Sequence, residues 1–318
     1  MINFLKLFVF LLLFVFSGIS LKAQGIELDS IVRSFDRKCD CNSYKDSSEK
    51  AYVNCLESEL ENPFFHRTDY LLLSNYWAST DEKKSYNYAL EYFSLGGHFS
   101  SGVDSSLLKK HILISKKKEN YFNKFYWLSH SNEQKRDSLL KSNERLAKAI
   151  IELKPYDQFF RANKKQNLKV LGDSNLEGSG WKLQIQLDSL NRAFLSAILD
   201  STWITIDAYG SEAAKVAWLI AQHADQDLKF QERCLRLMLA AYPKDRTSSG
   251  MNLAYLIDRL SINRQGYQYF GTQFSYQDGE IKPKPIKNPE LVNQRRKLVY
   301  LPTLEKYLDS SKKHIENQ

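Results

Sequence analysis

The residues best suited to chemistry lie in the run Ala221-Gln222-His223-Ala224-Asp225, with Asp227 close behind. A histidine with carboxylates within one turn can move a proton while a carboxylate orients the imidazole. The same groups could form part of a metal site. A structural reading competes with both. His223 stands near the end of an apolar helix, where a protonated imidazole interacts favourably with the helix C-terminus. Asp225 or Asp227 can then cap the helix that follows. For His223 alone the structural reading is favoured.

Asp157, Arg161, Asp188, Asp258, Arg259, Gln268, Gln273 and Arg295 also stand in stretches that are otherwise apolar. Buried charges are costly unless paired. Such a set forms either an internal salt-bridge network or the lining of a polar cleft, and both readings stay open. A bound metal is disfavoured, because only His223 and scattered carboxylates are on offer. Other reaction signatures are missing: there is no GxSxG elbow, P-loop, HExxH or dinucleotide glycine pattern. Cys234 is near the His223 turn, but its apolar helix would raise the thiol pKa and blunt its reactivity. No cofactor is expected.

The elements that must position these groups are mostly helical. Ser211 to Asp225 is apolar nearly all round, the signature of a helix buried from several sides, with Ser211 as its cap. Helices over Leu228 to Ala241 and Ser249 to Leu260 follow. Leu128 to Leu153 reads as a long amphipathic helix with Leu139, Leu140, Leu146, Ile150, Ile151 and Leu153 on one side, interrupted at Pro155. Asn163 to Gly180 reads as a polar loop, after which Asp188 opens a helix through Leu190, Phe194, Leu195, Ile198 and Leu199.

Beyond Asn263 the texture changes. Tyr267 to Phe274 favours a strand, with Gln268, Phe270 and Thr272 on one face and Tyr269, Gly271 and Gln273 on the other. Asp278-Gly279 marks a hairpin turn. Asn288 caps a helix with Pro289 at its first position, running through Arg295 and Arg296, and Pro302 and Thr303 start the last one. From Ile26 to Lys118 the pattern is helical with turns. Asp81 caps one segment, and Gly96 and Gly97 stop it. Tyr70 to Trp77 is a similar element, but no second copy of a repeat motif is found.

The first residues place the chain. Lys6 precedes an apolar run from Leu7 to Ile19, and Leu21-Lys22-Ala23 offers a cleavage site, the layout of a secretory signal peptide. The run is short for a bilayer crossing, which needs about 20 residues, so cleavage is favoured over anchoring and no stable membrane insertion is expected afterwards. Residues 1–23 carry two of the lysines and no acid, so their removal lowers the formal net charge from +8 to +6. The remaining basic residues are spread along helices without an arginine-rich block, so a solvated surface is favoured over nucleic-acid binding.

An exported chain with four cysteines permits disulfides. Cys39 or Cys41 could reach Cys55, closing a loop of about fifteen residues worth around 3 kcal/mol in the chain-entropy model. Cys234 reads as a buried free thiol. A metal reading of Cys39-Asp40-Cys41 is weaker, since no CxxC pair or nearby histidine completes a tetrahedral set.

The run Ala217 to Asp225, with Phe230-Gln231 after it, resembles the core motif of a bacterial family known only as a domain of unknown function. Its members carry an AWLIxQHAD segment, then LAYLxDR, QxYGTQ and a PI-x-P segment leading to paired arginines. Here those are Leu253 to Arg259, Gln268 to Gln273, and Pro285-Ile286 ahead of Arg295-Arg296. Asp157-Gln158-Phe159-Phe160-Arg161 is similar to the family's DQxxR element, and Asp188 with Asn191 fits its next helix. Phe270 interrupts the tyrosine–glycine step, and Trp203 is followed by Ile where the family often has Pro. The resemblance spans roughly 145–308 and implies a shared fold but no reaction.

The expected architecture is mainly α. A signal peptide (1–23) precedes an N-terminal helical region (24–127) and a C-terminal helical domain (128–318) with one small β-hairpin near 267–286. The catalytic candidates are His223, Asp225, Asp258 and Arg259. The ligand-binding candidates are Asp157, Gln158, Arg161, Asp188, Asn191, Gln222, Gln268, Thr272, Gln273 and Arg295. The leading functional expectation is an exported binding or interaction protein, its partner a protein or small molecule, with the N-terminal helices as scaffold. The alternative is a hydrolase-like enzyme using His223 with Asp225 or Asp258.

Overall fold

The computed structural model describes residues 26–37, 48–60, 67–98, 119–162, 177–244, 249–277 and 279–316. Residues 1–23, expected to be a signal peptide, Cys39, Cys41 and most of the polar stretch 163–180 lie outside these residues. The fold is mainly α with one small two-stranded sheet.

Near the N-terminus come α1 (Leu28–Arg37), α2 (Glu49–Ser58), α3 (Arg67–Trp77) and α4 (Glu82–Ser94). Ser48 and Asp81 cap α2 and α4 by accepting from the amides of Ala51 and Lys84, which satisfies otherwise orphaned donors. Helices α3 and α4 form a hairpin. The small residues Ser74 and Ser85 meet there and exchange hydroxyl-to-carbonyl bonds of 2.8 Å.

Helix α5 (Glu119–Ile151) begins well before Leu128 and runs through the expected domain boundary at 127/128. Aromatic residues lose rotamer freedom in a helix, so this first stretch is fixed by packing: Phe125 stacks on Phe93 at 5.3 Å between ring centroids. Leu139, expected on the apolar face, is 38% exposed; Ile150, expected there too, is fully buried, and Ala147 is buried beside it. Pro155 then starts a short turn, α6 (Lys154–Asp157), followed by α7 (Phe159–Ala162).

Helix α8 spans Glu177–Ile198, so Asp188 lies mid-helix and does not open it. The early start overrides a glycine-rich composition because Gln184, wholly buried, docks this half of the helix onto α6 and α7. Leu195 and Leu199 enter the core as their spacing suggests, whereas Leu190 is 68% exposed.

After α9 (Ile206–Tyr209), Gly210 at φ +83° precedes α10 (Ser211–Gln222). Ser211 is the first helical residue, not the cap, because the turn at Gly210 places the cap one residue earlier. Ala213, Val216, Ala217, Ile220 and Ala221 are buried. Their small side chains let α10 contact α5, α8, α11 (Leu228–Ala241) and α12 (Ser249–Gln265). Asp227, not Asp225, caps α11 by accepting from the Phe230 amide. Helix α12 continues past Leu260, with Ser261 still buried, and stops at Gly266, φ +78°.

Strands β1 (Phe274–Gln277) and β2 (Glu280–Pro283) pair antiparallel around Gly279. The strand expected from Tyr267 is irregular, apart from one parallel bridge of Gln268 with Ile286. The amides of Tyr269, Phe270 and Thr272 go to the Asp258 carboxylate, which removes them from any ladder. The two expected faces are therefore absent, and residues 268–273 are all buried. Asn288 adopts φ +52° without a side-chain cap bond and leads through a short 3-10 turn into α13 (Val292–Leu298), then α14 (Leu304–Glu316).

Helix α1 packs into the main core: Leu28 and Val32 share one buried cluster with Ile220 and Ile257. Asp36 pairs with Arg295, and Asp29 with Lys287 and the Tyr269 hydroxyl. Two smaller clusters hold α2, α3 and α4 together and onto α5.

Candidate functional site

His223 occupies the C-cap of α10 and turns to the Pro155 corner, where Nδ1 lies 2.8 Å from Asp157 Oδ1. A carboxylate only accepts, so Nδ1 is the donor in this bond. Nε2 has no hydrogen-bond partner among the described residues, and the side chain is 15% exposed against 1% for Asp157. Gln158 Nε2 donates to the second Asp157 oxygen at 2.6 Å.

The same corner is braced by α8. Arg161 meets Asp188 in a bidentate pair at 2.8 and 2.6 Å, the geometry that suits guanidinium and carboxylate best. Gln184 accepts from the Phe160 amide and donates to Asp188 and to the carbonyls of Tyr156 and Asp157. Nothing in composition marks Gln184; its spacing of four from Asp188 on one helix face was the available signal. Asn191, three residues beyond Asp188, is buried.

A second network begins at Asp225. Arg259 grips it with Nε and Nη2 at 2.8 and 2.7 Å, and Asn263 donates at 3.1 Å. Burial pulls the Asp225 carboxyl upward, but Arg259, Asn263 and the nearby His223 hold it below its ordinary value. Arg259 Nη1 continues to Gln273, whose amide reaches the Thr272 hydroxyl, which donates to Asp258. Asp258 is wholly buried and also takes the amides of Tyr269, Phe270 and Thr272. Burial pushes its carboxyl above the ordinary value, opposed by those amides.

Gln268 is spent on the Gln273 backbone and the Lys284 carbonyl. Arg295, besides Asp36, donates to the Lys287 and Tyr269 carbonyls. Gln222 donates to the Tyr255 carbonyl. The polar set thus gathers into two paired groups, one around Asp157 and one around Asp258. His223 is joined to Asp157, while Asp225 and Asp258 are committed to other partners.

Among the described residues no group of three or more His, Cys, Asp or Glu is placed to hold a metal. Cys234 is a free, buried thiol pushed well above its ordinary pKa by burial. Cys55 is disulfide-bonded, its partner lying outside the described residues.

An open space lies away from both groups. A cleft of about 550 Å³ separates the α3–α4 hairpin from the C-terminal body. One wall is the end of α4 and the turn after it, with Ser94, Leu95, Gly96 and His98. A second is the α5 face bearing Asn132, Lys135, Arg136, Leu139 and Asn143, spaced three, four and seven apart as one helix side requires. The third is the end of α11, with Leu237, Ala240 and Ala241, together with Lys244 in the turn that follows, and the floor includes Trp203, Asp207 and Tyr209. Asn132 donates to the Phe93 and Gly97 carbonyls and Asn143 to the Ala208 carbonyl, so two walls are fastened to α5. Sequence reasoning passed over these residues; the polar stripe on α5 was the signal.

Residues 173–314 match a family of unknown function, DUF6624. No curated protein and no solved structure matches the chain. The matched span holds Asp258, Arg259, Arg295 and His223, but neither Asp157 nor the α4 and α5 walls of the cleft.

Proposed function

We propose that the protein is exported and works as a binding protein whose ligand occupies the cleft between the α3–α4 hairpin and the C-terminal body. The observation that carries this reading is the cleft: its volume falls within the range of about 300–1,000 Å³ typical of small-molecule sites. It mixes apolar and polar walls, and the α5 asparagines brace it. The signal-like N-terminus and the disulfide at Cys55 both suit an oxidising compartment.

Ala240 is exposed and lines the cleft, so Ala240→Trp fills the space without entering the core. Two fluorescent naphthylamines, the anionic 8-anilinonaphthalene-1-sulfonate and its neutral analogue N-phenyl-1-naphthylamine, serve as probes. At least one should bind the full chain and be expelled by Ala240→Trp. Binding that ignores the substitution would overturn the reading.

A second reading, a hydrolase-like enzyme with His223 as general base, is favoured by one observation. The bond to Asp157 fixes the imidazole by Nδ1 and leaves Nε2 available. In this reading Asp157 takes the orienting role first sought in Asp225 or Asp258. Ester turnover that is lost in His223→Ala, while the fold persists, would support it; absence of any turnover by the intact chain sinks it.

A further inference from the structure

Resting on the cleft as the binding site, we infer that its ligand is an organic anion: a carboxylate, sulfonate or phosphate group carried on an apolar or aromatic body.

The charge balance of the walls leads there. Lys135, Arg136 and Lys244 line the cleft, against Asp207 as the lining acid. Asp207 already faces Arg67, whose Nη1 stands 3.5 Å from it. Arg67 is 1% exposed, its Nε has no partner, and Nη1 also reaches the Leu95 carbonyl. A buried guanidinium therefore sits behind the wall and cancels the wall's acid. Arg136 is engaged by Asp137 and by His98 Nε2. Lys135 and Lys244 have no carboxylate partner among the described residues. Lys135 on α5 and Lys244 in the turn after α11 line one space, so the cleft keeps a positive excess. Concave walls of low dielectric focus such a field.

The rest of the lining describes the remainder of the ligand. Leu95, Trp203, Tyr209 and Leu237 offer apolar and aromatic surface against the same space. A small inorganic anion would leave that surface wet, and a neutral apolar molecule would leave the lysines without a counter-charge. An amphipathic anion satisfies both.

The two naphthylamines differ chiefly by the sulfonate, so their affinity ratio reads the charge preference. The full chain should bind the sulfonate about tenfold more tightly than the neutral analogue, the sum of two partly screened charge contacts. The ratio should fall toward one in the Lys135→Ala/Lys244→Ala double variant, with the neutral probe's affinity unchanged. It should also fall at about 1 M salt, where the screening length is near 3 Å. Both lysines are exposed, so the variant leaves the core intact. Equal affinities, both lost in Ala240→Trp, overturn the anion assignment but keep the cleft. A sulfonate preference that survives the double lysine variant overturns it too. Binding of either kind that ignores Ala240→Trp overturns the cleft itself.

Discussion

His223 Nδ1 and Asp157 Oδ1 meet at 2.8 Å across 66 positions of the chain, locking the end of the central helix α10 onto the Pro155 corner. Asp157 is nearly inaccessible, so removing the imidazole leaves a buried carboxylate with Gln158 as its remaining side-chain donor below 3.5 Å. Losing one partner of a buried charged hydrogen bond costs about 1–3 kcal/mol. His223→Ala and Asp157→Asn should each lower stability by that amount in urea unfolding. The double variant should cost less than the two single effects added, because one bond is lost in both.

Asp258 should be the more costly acid to replace. Its oxygens accept from three backbone amides and one hydroxyl, and no described cation bonds to it directly. In Asp258→Asn a donor NH2 faces donors, so the loss should reach about 3 kcal/mol. Asp225→Asn, at a carboxylate 36% exposed, should cost about 1 kcal/mol after discounting for solvent. The order of the two in equilibrium unfolding is the test; equal losses would contradict it.

The acid side of the stability profile follows from Asp225. Its folded pKa lies below the ordinary 3.8, and an unfolded aspartate titrates near about 3.9. The contribution is therefore fully present above about pH 4–5 and lost as pH falls through the folded value. Asp29, lowered by Lys287 and Tyr269, acts in the same direction. Asp258, raised by burial, acts in the opposite one, giving stability at low pH that is lost as pH rises through its folded value. The stability gap between the wild type and Asp225→Asn should thus close as pH falls from about 5 toward 2.

Thiol counting tests the redox expectation. The sequence has four cysteines, Cys55 is in a disulfide and Cys234 is free. Four less the two of one bridge leaves two, so the unfolded chain should yield two thiols before reduction and four after it. Cys234 should stay unreactive until the protein unfolds, because it is buried and its thiolate is disfavoured.

Helix α10 as the centre of the fold was legible from its all-round apolar pattern, and the bounds of α11 and the hairpin around Gly279 from local signals. The Asp258 loop was not. Strand-favouring residues from Tyr267 to Phe270 say nothing of a carboxylate eleven or twelve positions back that takes their amides. The first half of α8 was hidden by glycine and serine, because the contacts of Gln184 that order it come from another segment. Local pattern also cannot reveal that α1 belongs with the C-terminal core, since Leu28 and Val32 find their partners some two hundred residues away. At the candidate site the residue types were visible, but their pairing was not: the sequence neighbour Asp225 lost His223 to Asp157. The cleft was least legible, because each wall is an ordinary amphipathic face until the others are set against it.

The central claim is that ligand is taken in the cleft and not at the His223 cluster. Hydrogen exchange of the full chain, with and without saturating 8-anilinonaphthalene-1-sulfonate, tests it most directly. The account predicts added protection in the segments 94–98, 132–143, 201–209 and 237–244 together. Protection confined to 157–161, 184–188 and 222–225 would contradict it.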